Sequence, residues 1–399
     1  MSDPYLPPEV LDHIVDFLHA SPEALKQCCL ASKLLIPRTR KHLFGQIDFR
    51  APADLEAWRK TFQDPATSPA RYTHSLIVDC LEVVTAADAE EGGWIRTFTN
   101  VVQLKLRGGI MRWRGAEDAL VPFHNFSQKL KSLRLRFVPI IPSQRFELIC
   151  SLPLLEDLTV FHNRREVSGS MGGSDFRPLT SPAFTGTLEL DGVPEHTVRQ
   201  LLDLPNGLRF RKIMCISCYL EDPQWAMALV ERCRDTLESI EIGWLVTRMS
   251  SLRALKWNWY LNCIPFALED SQAPSFDFSN TTKLREVKFR FDATCAYITG
   301  SLKTITSKHK DLQRIIIHTP INSPYWDDVP FGRLTQSQRV DLDLNLVQLW
   351  ELHGVRTKAT YGGMIEDKEA TCKLLETILP EMTKRGSLEL VHLSEFDPS

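Results

Sequence analysis

A chain of 399 residues, 43% of them hydrophobic, can bury a large core, and its length suggests two or three domains, or a single repeat solenoid. A formal net charge of -3 gives no electrostatic case for a nucleic-acid or anionic-membrane partner, and neither is expected. No apolar run approaches the roughly 20 residues of a membrane span, and the opening MSDPYLPPEV lacks the basic start and apolar stretch of a secretory signal, so a cytoplasmic or nuclear protein is expected. The cysteines, Cys80, Cys150, Cys215 and Cys263 among them, sit mostly in apolar periodic segments, which points to reduced, buried thiols.

The stretch LPPEVLDHIVDFLHASPEALKQCCLASKLLIPRTRKHLF, Leu6 to Phe44, has the punctuation of three helices. Pro7 and Pro8 fix the entry, and Val10, Leu11, Ile14, Phe17 and Leu18 recur at helical spacing. Ser21 and Pro22 open a second helix carrying Leu25, Cys28, Cys29 and Leu30, and Pro37 restarts a third with Arg38 and Arg40 on one side and Leu43 and Phe44 on the other. So short a unit cannot bury an apolar face this wide by itself, which marks it as a docking module.

This stretch resembles the F-box in the variant common in fungal proteins. The Leu6-Pro7-Pro8-Glu9 opening, the run CCLASKLLIPRTR from Cys28 to Arg40, and the His42-Leu43-Phe44 close all match in order; Leu35 stands where the family usually has Trp. The resemblance implies docking to a Skp-family adaptor, and through it to a cullin, by Leu6, Pro7, Pro8, Ile14, Leu18, Leu25, Leu30 and Leu35.

Arg50 to Pro69 holds several prolines around an amphipathic piece with Leu55, Trp58 and Phe62, and reads as a hinge with one packed helix. From Thr73 onward a leucine-rich-repeat-like pattern recurs, centred on Leu76, Leu104, Leu133, Leu158, Leu188, Ile213, Ile240, Val287 and Ile315. Neighbouring centres lie 25 to 30 residues apart, except for 47 between Ile240 and Val287. The copy on Leu155, Leu158, Val160 and Asn163 is the fullest. Arg145–Leu152, Glu195–Leu204 and Pro223–Cys233 read as short intervening helices. The 243–283 stretch, with Trp257, Trp259 and Tyr260, holds either an eccentric repeat or an inserted loop. A further strand is expected near Leu342, then a helix over Lys368–Met382 and a strand over Leu388–Leu393; Asn163–Pro182 reads as a loop.

The fold expected is therefore α/β: a short N-terminal three-helix F-box followed by an irregular leucine-rich-repeat-like solenoid, a horseshoe. The boundaries are 1–47 for the helical domain, 48–72 for the hinge and 73–399 for the repeats.

Motifs of catalysis and cofactor binding are missing from the sequence: there is no phosphate-binding glycine loop, no HExxH and no GxSxG. Cys215 and Cys218 have C-x-x-C spacing, but Cys215 falls on an inward strand position and no second pair lies at zinc-finger distance. No catalytic residue, metal or cofactor is expected. Target contacts are expected on residues between the inward leucines and at one tryptophan between arginines: Lys105, Arg107, Arg134, Arg136, Phe161, Lys288, Arg290 and Trp113. Together with the resemblance, this reads as the substrate-recognition subunit of an SCF-type ubiquitin ligase, holding an unidentified protein target. Two alternatives stand beside it: a repeat scaffold not coupled to a ligase, and an enzyme with a site assembled from distant loops.

Overall fold

The computed structural model describes residues 6–64, 67–79, 84, 86–90, 93–108, 120–126, 128–136, 142–162, 182–193, 195–216, 218–219, 224–243, 245–246, 275–290, 295–318, 336–361 and 365–392. Two compact units divide the chain, one built on residues 1–159 with 168–183, the other on 160–167 with 184–399.

The first unit opens with α1 (Pro8–Phe17), α2 (Pro22–Ala31) and α3 (Ile36–Leu43), and runs through β1 (Gln46–Phe49), α4 (Pro52–Thr61), β2 (Ser75–Val78), β3 (Gln103–Arg107), β4 (Ser132–Arg136), α5 (Pro142–Cys150) and the start of β5 (Asp157–Phe161). Its strands pair in parallel in sequence order from β1 to β4. The register puts Ile47, Leu76, Leu104 and Leu133 in one line and Phe49, Val78, Leu106 and Leu135 in the next. Every one of these side chains is buried, each stabilising the unit by about 1.5–3 kcal/mol relative to exposure. Aromatic rings close the inner side: Phe49 meets Trp94 and Trp58 edge-on at centroid distances of 5.3 and 5.7 Å.

The second unit continues with β6 (Thr187–Asp191), α6 (Glu195–Leu202), β7 (Lys212–Ile216), β8 (Cys218–Tyr219), α7 (Gln224–Arg232), β9 (Ser239–Ile242), β10 (Leu245–Val246) and β11 (Glu286–Arg290). It finishes with α8 (Cys295–Leu302), β12 (Arg314–His318), α9 (Gln336–His353), β13 (Thr357–Tyr361), α10 (Ile365–Ile378), α11 (Pro380–Lys384) and β14 (Leu388–His392). The strands β6, β7, β9, β11, β12, β13 and β14 pair in parallel in that order. Leu188, Ile213, Ile240, Val287 and Ile315 align in one buried line. A parallel partner requires the chain to return to its starting end, which the intervening helices do while covering the inner side chains.

The strands stand at every repeat centre, and the three N-terminal helices are present, but the architecture expected is corrected. The molecule is not a short three-helix F-box followed by a leucine-rich-repeat-like horseshoe. It is a parallel α/β fold in which strands alternate with helices, and α3 runs directly into β1, a strand of the sheet itself. Two local expectations change with it. The segment around Leu342 is helix α9, not a strand, because Leu342, Leu344 and Leu346 alternate as a strand would while Leu342, Leu346, Val347 and Leu349 form the buried helical set. Helix α9 ends at Gly354, whose positive φ of 65° suits the turn and whose N–H donates to the Trp350 carbonyl at 2.7 Å. The helix expected over Lys368–Met382 is two, α10 and α11, divided at Pro380. Asn163, the loop from it to Ser181, and Trp257, Trp259 and Tyr260 lie outside the described residues, as do Cys80 and Cys263.

Candidate functional site

The helices α1 to α3 hold together on very little. Each contributes one fully buried residue, Val15, Leu25 and Thr39. Thr39 Oγ1 lies 2.7 Å from the Leu35 carbonyl, to which it donates, and 2.8 Å from Cys29 Sγ, tying α3 to α2. An ion pair ties α3 to α1: Arg38 donates through Nε and Nη2 to the two Asp16 oxygens at 2.6 and 2.5 Å, and His42 Nε2 lies 2.7 Å from Oδ1. Hydrogen bonds from Arg38 and His42 hold the Asp16 carboxyl well below the usual carboxylate range. The end of α3 is pinned to the first unit by Thr73 Oγ1 on the Phe44 carbonyl at 2.8 Å and by the His74 and Ser75 N–H groups on the Gly45 carbonyl at 2.8 and 3.0 Å. Ser21 occupies the position before α2, but its side chain makes no capping bond.

With so small a core, the apolar stripe stays in solvent. Six of the eleven large apolar side chains exposed among the described residues fall between Leu6 and Leu34: Leu6, Val10, Ile14, Phe17, Leu30 and Leu34. That concentration in one short segment contrasts with the singly scattered apolar residues of an ordinary surface. Phe17 is 86% exposed and Leu30 80%. Val10, Ile14 and Phe17 follow one another at helical spacing, so they form one stripe of α1.

Of the residues expected at the adaptor interface, Leu6, Pro7, Pro8, Ile14 and Leu30 are exposed, and Leu18 and Leu35 are half-buried. Leu25 is 1% exposed and belongs to the three-helix core, where it can support docking only by shaping it. Three exposed residues were not among those expected as contacts: Val10, Phe17 and Leu34. The first two were legible, since they share the period of Ile14.

The residues expected at a target divide between the units. In the first, Lys105 pairs in register with Arg134 and Arg107 with Arg136. Leu104, Leu106, Leu133 and Leu135 point inward, so these four cations share the outward face. Arg107 Nη1 lies 3.1 Å from Asp79 Oδ2, and burial raises the Asp79 carboxyl against the pull of that arginine. In the second unit Lys288 meets the buried Glu286 at 3.2 Å, a carboxylate also held by Arg314 at 2.8 Å and by Ser239 Oγ at 3.0 Å. That lysine is part of a structural network. Phe161 is half-buried on β5, Arg290 lies in β11, and Trp113 is outside the described residues.

Cys215 is buried on β7, and burial pushes the Cys150 and Cys233 thiols up to about 11 and about 12, away from the thiolate a nucleophile needs. Desolvation lowers His124 and His353. Among the described residues no group of three or more His, Cys, Asp or Glu side chains could hold a metal ion, and no helix is long and apolar enough to cross a membrane. No family model matches the chain, and no curated protein is similar to it.

Proposed function

We propose that the chain is the substrate-recognition subunit of an SCF-type ubiquitin ligase, docking a Skp-family adaptor through α1 to α3 and holding a protein target on its parallel sheet. The observation that carries this reading is the concentration of exposed apolar side chains, Leu6, Val10, Ile14, Phe17, Leu30 and Leu34, in a segment whose three helices each fully bury a single residue. Helices that merely capped the sheet would turn that stripe inward. The ordered F-box resemblance from Leu6 to Phe44 supports the adaptor's identity, and the cullin would follow through the adaptor. Such a protein catalyses nothing itself. Tethering a target beside the ligase's ubiquitin-loaded partner makes lysine attack effectively intramolecular, which raises its rate without an active-site residue here. The cytoplasm or nucleus is the compartment this implies.

The test is co-purification of the intact chain with a Skp-family adaptor and its cullin, beside a variant carrying Ile14→Asp and Leu30→Asp, both checked for folding by circular dichroism. Stoichiometric recovery by the chain and loss in the folded variant is the expected result. Failure of the folded, unaltered chain to recover the adaptor refutes the proposal and leaves a scaffold not coupled to a ligase.

A further inference from the structure

Strands β1 and β2 join the first three helices to the sheet, and two carboxylates stand on their outward side. Ile47, Phe49, Leu76 and Val78 point inward, so Asp48 projects outward, where its Oδ2 accepts from Arg50 Nε at 2.8 Å. Asp79 follows Val78 and extends the pairing by donating its N–H to the Phe49 carbonyl at 2.9 Å. Its Oδ2 turns to the outward Arg107, which donates through Nη1 at 3.1 Å. The remaining oxygen of each carboxylate, Oδ1, is buried and has no hydrogen-bond partner. Ile77, in register with Asp48 and on the same face, is only 6% exposed, so this part of the outward face is shielded from solvent.

We infer that Asp79 is a proton-binding switch of the β1–β2 junction: one proton taken from solvent onto its Oδ1 removes one of two neighbouring negative charges and firms the strand pairing that anchors the helices. A carboxylate oxygen buried without a donor disfavours the charged form, and a second carboxylate nearby does the same. The charged groups that face Asp79 are Asp48 of β1, Arg50 just past it, and Arg107 of β3. Burial raises the Asp79 carboxyl most; the two arginines pull it down and Asp48 pushes it up, for a net rise. Asp54 of α4 lies beyond Arg50, where it accepts from the Arg50 backbone N–H at 3.0 Å and draws on the guanidinium. Protonation at Oδ1 leaves Oδ2 accepting from Arg107, so no cation has to let go. A folded-state value raised above the unfolded one of about 4 gives stability that is fully present below the unfolded value and lost as pH rises through the folded one. Mild acidification therefore tightens this junction.

The test uses the intact chain beside its Asp79→Asn and Asp48→Asn variants, asparagine standing for the protonated carboxyl at every pH. Amide exchange over residues 46–49 and 75–79, corrected for the intrinsic pH dependence of exchange, should at about pH 7.5 be at least about threefold slower in Asp79→Asn than in the parent. The two should converge as pH is lowered. Carboxyl carbon NMR of the parent labelled at aspartate, with the Asp79 resonance identified by its loss in Asp79→Asn or Asp79→Glu, should give a midpoint above about 4, and Asp48→Asn should lower that midpoint. Faster exchange in Asp79→Asn at neutral pH, an Asp79 midpoint at or below about 4, or a midpoint unmoved by Asp48→Asn overturns the inference. The Asp79 midpoint itself is read on the unaltered chain, whatever a substitution does to folding.

Discussion

Phe17 and Leu25 are both large apolar residues of the first three helices, and their surroundings assign them opposite roles. Leu25 is 1% exposed and, with Val15 and Thr39, makes up the small core of those helices, so Leu25→Ala is expected to cost about 2–5 kcal/mol. Phe17 touches little, and Phe17→Ser is expected to change stability by no more than about 0.5 kcal/mol while weakening docking. Urea unfolding of both variants, followed by adaptor binding, separates the two. Asp16 makes a second prediction at this scale. Its folded-state pKa is depressed, so the stability it contributes is present above the unfolded carboxylate value near 4 and is lost as pH falls through the lower folded value. Asp16→Asn should therefore reduce amide-exchange protection over residues 8–43 at pH 7, and the difference from the unaltered chain should narrow below about pH 4. A constant difference across that range would show that the carboxylate's charge is not what joins α1 to α3.

At the scale of elements, the longest helix and one of the shortest depend on one another. Asp343, buried within α9, accepts hydrogen bonds from the N–H groups of Glu381 and Met382 at 2.8 and 3.1 Å, in the first turn of α11. A carboxylate there satisfies two donors that a helix start leaves open and complements the helix dipole. Asp343→Ala is expected to destabilise the second unit by about 1–3 kcal/mol, and Asp343→Asn by less, measured by denaturant unfolding. Nothing in the sequence pairs Asp343 with α11, because the contact joins segments far apart in the chain. What the sequence made legible was local: paired inward residues such as Leu133 and Leu135 mark β4 by their alternation, and Pro22 marks the start of α2. Leu342 misled because its neighbours satisfy two periods at once. Strand β1 was missed because Gln46–Phe49 offers only Ile47 and Phe49 to a pattern that needs a longer run. The exposed apolar residues were legible as a stripe but not in their membership, since Leu25 and Ile14 are alike in sequence and only packing buries one and exposes the other. The outward cations of β3 and β4 were legible residue by residue, and the pairing register is what made neighbours of Lys105 and Arg134.

Across the molecule, the residues that hold the chain folded differ from those it leaves exposed. Buried lines of Leu, Ile, Val and Phe build each unit's sheet, and about half of the large apolar side chains exposed among the described residues fall between Leu6 and Leu34. The exposed stripe of α1 should therefore be mutable independently of the fold. Isothermal titration of a purified Skp-family adaptor into the intact chain, repeated with the Phe17→Ser, Leu30→Ser variant, measures whether the exposed apolar stripe docks it. Expected are one-to-one binding with a negative heat-capacity change, as apolar burial requires, and at least about a tenfold loss of affinity in the folded variant. A folded, unaltered chain that gives no binding, or a variant that binds as well as the parent, would contradict it.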